Sequence, residues 1–144
     1  MSSLAEALIA ECEGRNRCVY RDTRGFLTIG IGALVDPKVP GAGLCDAAIE
    51  AQFAHDSEHA RTVASEFPHY DELNEVRQAV LISMAFQLGT KPLNWPNFMA
   101  ALEAKDYVAA SAAGRDTDWW RDQTPARADR AMVMLASGAW AVQT

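Results

Sequence analysis

Glu13 closes an apolar helical stretch, Asp22 follows a run of strand-forming residues, and Thr28 sits on the next such run. Two carboxylates in unlike surroundings can divide into an acid and a base. Hydrolysis of a glycosidic bond uses that division: one carboxyl protonates the leaving oxygen while the other assists water or steadies the cation. Gly14, Gly25, Gly30 and Gly32 are interleaved with these side chains and permit close backbone approach. By spacing alone, a helix-end glutamate and a turn aspartate, both solvated, remain the commoner explanation. A second pattern, His55-Asp56-Ser57-Glu58-His59, has the H-x-x-E-H spacing that offers two histidines and an acid to zinc. It has no accompanying third ligand, and both histidines fall away from Phe53, Ala60 and Ala64 on a helical wheel, so a solvated face accounts for it. We expect no metal and no cofactor.

The elements that must position these residues follow from periodicity. Leu4, Ala7, Leu8 and Cys12 share one face of a helix over 3–13, capped by Ser2 or Ser3 and stopped by Gly14. Val19-Tyr20 and Phe26 to Ile31 are strand formers around the turn Asp22-Thr23-Arg24-Gly25, which predicts a small antiparallel sheet between Cys18 and Val35. Prolines and glycines mark 36–43 as loop. Ile49, Phe53, Ala60, Ala64 and Phe67 form a stripe along a helix from Asp46 to about Glu66. Further helices are expected over 71–88, 96–105, 106–113 and from Pro125 to about Ser137, the last capped by Thr124. Trp120 and Trp140 are expected in the core, whereas the pattern assigns no place to Trp95 or Trp119. Helix, small sheet, then many helices make an α+β chain.

The chain has 144 residues, 49% hydrophobic and 22% charged, which suits one globular domain and argues against disorder. The most apolar stretch, Ala79 to Phe86, is far shorter than a membrane span. The first residues lack the basic region of a signal peptide, so none is expected. A net charge of −6 argues against a general nucleic-acid binder. That charge is uneven: between residues 14 and 44, Arg15, Arg17, Arg21, Arg24 and Lys38 face only Asp22 and Asp36, which suggests an anionic ligand there. Cys12, Cys18 and Cys45 are odd in number and form no C-x-x-C, so reduced thiols are expected.

The run Glu13-Gly14, Tyr20-Arg21-Asp22-Thr23-Arg24-Gly25 and Thr28-Ile29-Gly30-Ile31-Gly32 closely resembles the start of the tailed-phage lysozymes, the muramidases of glycoside hydrolase family 24. The likeness continues in Val76-Arg77-Gln78-Ala79, Phe86-Gln87-Leu88-Gly89, Trp120 to Arg127 and Gly138-Ala139-Trp140, in the right order along the chain. The resemblance implies a lysozyme-like fold, a sheet lobe over about 14–45 and a helical lobe over about 46–144 plus 3–13, joined by the long helix. It implies Glu13 as general acid, Asp22 as the second carboxylate and Thr28 as the threonine that helps hold the attacking water. It implies Arg127 as the ion-pair partner of the glutamate, and Leu34, Phe86 and Gln87 as residues lining the glycan cleft. The substrate implied is the β-1,4 bond between N-acetylmuramic acid and N-acetylglucosamine, cleaved with inversion by a monomer. The implied setting is the host cytoplasm, with release through a separate membrane pore during lysis, or a virion.

This chain departs from that pattern in three respects. Only residues 36–43 separate the sheet from the long helix, where well-known members carry an extra helix. Ala33 replaces a histidine that commonly follows the Thr-Ile-Gly-Ile-Gly run. The chain is acidic where many members are basic. Two rivals share the resemblance: a lytic transglycosylase, which relies on one glutamate, and an inactive wall-binding or tail module. Asp22 and Thr28 favour hydrolysis over both.

Overall fold

The structure, a computed structural model, describes residues 4–142. The proposed caps Ser2 and Ser3 lie outside the described residues. The chain forms two compact units, Met1–Gln52 and Phe53–Thr144, and the division falls within one helix.

The first unit begins with α1 (Leu4–Glu13), which ends where the Gly14 N–H returns to the Ala10 carbonyl. Three strands follow: β1 (Asn16–Arg21), β2 (Leu27–Gly30) and β3 (Ala33–Leu34), antiparallel in the order β1-β2-β3. β1 pairs Tyr20 with Thr28 and Arg21 with Leu27, and an irregularity between Asn16 and Tyr20 shifts the register toward Gly30. β3 sets Leu34 opposite Thr28 and Ala33 opposite Ile29. Thr28 is therefore the central residue of the sheet. It is buried, as is Asp36 just beyond β3. α2 (Asp46–Ala64) leaves this unit and ends in the next.

The second unit holds the apolar core. α3 (Glu75–Leu88), α4 (Pro96–Glu103), α5 (Tyr107–Arg115) and α6 (Pro125–Ser137) contribute Leu81 and Met84, Phe98 and Leu102, Ala110, and Met132 and Leu135 in turn, all buried, around Trp119. Trp119 lies in a π-helical turn, Trp119–Gln123, between α5 and α6. Short 3-10 turns at Tyr70–Glu72 and Lys91–Asn94 link the larger helices. Among the described residues, no helix is long and apolar enough to cross a membrane.

The sequence and the structure disagree at four places, each for a local reason. α3 starts at Glu75 rather than Asp71, because the Asn74 side chain accepts the Arg77 N–H at 2.9 Å and caps the helix there. Thr124 precedes α6 but does not cap it; its hydroxyl accepts a hydrogen bond from Gln87. The stripe on α2 is buried only at Ala60 and Ala64, with Phe67 just past the helix end, while Ile49 and Phe53 are exposed, since only the last turns reach the core. Trp140 is 65% exposed beyond the end of α6, whereas Trp119 takes the central position.

Candidate active site

Asp22 stands where β1 turns towards β2. Its Oδ1 accepts the backbone N–H groups of Arg24 and Phe26, both at 2.9 Å, so the carboxylate organises the turn that carries it. Its own N–H donates to the Phe26 carbonyl at 2.9 Å. Thr28 Oγ1 donates to that same carbonyl at 3.1 Å. One peptide oxygen thus anchors both residues. The hydroxyl hydrogen of Thr28 is engaged there, which leaves the lone pairs of its oxygen to accept from water.

Glu13 is the last residue of α1, and its carboxyl stands over the side-chain position that Gly32 leaves empty in the turn between β2 and β3. A methyl group built on Gly32 would stand 3.0 Å from both Cδ and Oε2 of Glu13. Glu13, Asp22, Thr28 and Leu34 therefore belong to one unit, two of them within the hairpin and a third on the strand beside it.

Asp36 is a supporting residue that spacing did not single out. Its Oδ1 accepts the Lys38 N–H at 3.0 Å and its Oδ2 accepts the Leu27 N–H at 3.1 Å, which ties the end of the sheet to the residue before Thr28. The backbone N–H groups of Lys38 and Leu27, with the charges of Lys38 and Arg21, hold its carboxyl below the usual carboxylate value. The Asp36-Pro37 pair was its only sequence signal, a turn signature without a chemical one.

The remaining candidates lie in the second unit. Gln87 is half-buried, and both ends of its amide are engaged: Nε2 donates to Thr124 Oγ1 at 3.0 Å and Oε1 accepts from Trp119 Nε1 at 3.1 Å. Phe86 is 45% exposed beside Phe53, ring centroids 6.0 Å apart. The Nη2 of Arg127 donates to Ser83 Oγ at 3.2 Å. Arg127 also lines an open hollow of about 920 Å³ with Ser83, Thr124, Arg130 and Trp140. His55 is exposed and pairs with Asp56 at 3.2 Å. No cluster of three or more metal-ligating side chains occurs among the described residues. Cys12, Cys18 and Cys45 are free thiols.

A predominantly helical chain with a small antiparallel sheet near its start, and an acid, a turn aspartate and a buried threonine gathered around that sheet, has the α+β fold of the lysozyme-like class. The phage lysozyme family model matches residues 10–129, and the chain belongs to that family. Its relatives include the pre-baseplate central spike protein Gp5 of Enterobacteria phage T4, 29% identical over 94% of this chain and 28% of that protein. Another is the probable T4-type lysozyme 1 of Dictyostelium discoideum, 23% identical over 96% of both chains.

Proposed function

We propose that the protein is a peptidoglycan hydrolase that cleaves the β-1,4 bond between N-acetylmuramic acid and N-acetylglucosamine. The observation that carries this reading is the gathering of Glu13, Asp22 and Thr28 around one small sheet, within the span matched by the family. In the proposed reaction Glu13 gives its proton to the leaving glycosidic oxygen as the bond to the anomeric carbon breaks. Water attacks that carbon from the opposite face and releases a proton towards Asp22, while the Thr28 oxygen accepts a hydrogen bond from the water. The product is a new reducing end of inverted configuration. Arg127 as partner of Glu13, and Leu34, Phe86 and Gln87 as glycan contacts, belong to the same proposal; no cofactor is needed.

Mass spectrometry of digested peptidoglycan tests it, with wild type beside Glu13→Gln. Reducing ends from wild type and none from the variant are expected. Anhydro products would place the chain among the transglycosylases, and intact glycan with both proteins would leave a binding module. The role in the cell is proposed to be host lysis. The likeness to a central spike protein favours a second setting, carriage on the virion, which detection of the chain in purified particles would establish.

A further inference from the structure

We propose that Gly32 is a positioning residue for Glu13: the absence of a side chain at position 32 forms the seat that fixes the glutamate carboxyl. The inference rests on the reading of Glu13 as the general acid. Two glycines two residues apart allow it to be isolated. Gly32 has φ +71° and Gly30 has φ +68°, so any other residue meets the same left-handed backbone cost at either place. Their surroundings differ. A β-carbon on Gly32 meets Glu13 Cδ and Oε2 at 3.0 Å and Cγ at 3.1 Å, whereas one on Gly30 meets nothing within 4 Å.

The partner that must yield at Gly32 is the far end of a flexible side chain, not backbone. An added methyl group therefore displaces the carboxyl by a few tenths of an ångström or turns it, instead of disrupting the sheet. An acid that must meet a glycosidic oxygen at hydrogen-bond distance tolerates little such displacement; about 1 Å of misplacement costs on the order of a hundredfold in rate. Substrate affinity, which depends on many contacts along the glycan, does not depend on that placement.

The test compares Gly32→Ala with Gly30→Ala. Both lose similar thermal stability, since they share the backbone cost. Gly32→Ala is expected to lower kcat by roughly tenfold to a hundredfold with KM within about twofold, and Gly30→Ala to keep kcat within about threefold. A second readout needs no turnover: in protein carrying 13C-labelled glutamate carboxyls, the Glu13 resonance moves in Gly32→Ala and stays in Gly30→Ala. Should Gly32→Ala fold poorly, the Asn pair at the same two positions replaces it, because Asn accepts left-handed backbone more readily. Equal losses of kcat in the two variants, an unchanged kcat in Gly32→Ala, or an unmoved Glu13 resonance each overturn the proposal. Failure of the underlying reading looks different: Glu13→Gln then retains wild-type activity, whatever the resonance does.

Discussion

Asp22 combines a structural and a chemical duty, and two substitutions separate them. Asp22→Asn keeps an oxygen to accept the Arg24 and Phe26 N–H groups, so its melting temperature should stay within a few degrees of wild type while hydrolysis falls steeply. Asp22→Ala loses the acceptor as well and should cost about 1–2 kcal/mol in denaturant unfolding. If Asn kept full activity, Asp22 would be a turn residue only. Asp36 makes a pH prediction. Its folded value lies below its unfolded one, so its contribution is present above about pH 4 and is lost as pH falls through the lower folded value. Asp36→Asn should thus be less stable than wild type at neutral pH, with the gap closing on acidification, as thermal melts across pH 2–6 would record. Glu13, Asp22 and Thr28 were singled out in the sequence by the motif they share with the phage lysozymes, and the fold brings all three to one small sheet. The shared Phe26 carbonyl and the seat at Gly32 were not, because a backbone oxygen and a missing side chain leave no chemical trace in a sequence.

At the scale of elements, the helices were legible wherever an apolar stripe met a stop signal, as in α3 ending before Gly89 and α6 ending before Gly138. Their starts were less so, because a capping side chain has alternatives. Thr124 gives its oxygen to Gln87, and through that amide to Trp119, so a residue placed as a cap instead fastens α3 to the π-helical turn. The Asn74 cap in turn belongs to a clamp between the start of α3 and the end of α6. Asn74 Nδ2 donates to the Gly138 carbonyl at 2.9 Å, and Arg77 donates to the carbonyls of Leu135 at 2.8 Å and Ala136 at 2.9 Å. The same guanidinium lies 4.0 Å from the centroid of the Tyr107 ring. The end of α6 thus finds donors for carbonyls that its own helix leaves open. Arg77→Ala removes two charge-assisted hydrogen bonds and a ring contact, and should cost about 2–4 kcal/mol in urea unfolding. Arg77→Lys should recover only part of that, because an ammonium lacks the planar fork that reaches two carbonyls while stacking on a ring. A loss below about 1 kcal/mol for Arg77→Ala would mean that the clamp only reflects a packing set elsewhere.

Across the whole molecule, the proposed substrate raises the question of how an acidic chain would meet an acidic wall. At a net charge of −6, long-range forces oppose approach to a carboxylate-bearing glycan. The basic stretch near the site can offset this only with charge that its own fold leaves unspent. Arg21 gives Nη1 to the Gly25 carbonyl at 3.0 Å, and Arg24 lies over the Phe26 ring at 5.3 Å. The two acids of the stretch each accept two backbone N–H groups, Asp22 from Arg24 and Phe26 and the buried Asp36 from Leu27 and Lys38. Arg15 and Arg17, just before and within β1, are exposed, and among the described residues their side chains make no hydrogen bond or ion pair. Their positive charge therefore faces outward, close in sequence to Glu13. Fields of this kind act over about 10 Å at 0.1 M salt and shrink to about 3 Å at 1 M. The double variant Arg15→Ala/Arg17→Ala should lower kcat/KM on peptidoglycan by roughly threefold to tenfold at low ionic strength, through association and not through kcat. The deficit should vanish as salt rises, because screening removes from wild type what the substitution removes from the variant. Equal salt slopes for the two proteins would leave these arginines without a steering role, and access to the wall would then depend on short-range contacts alone.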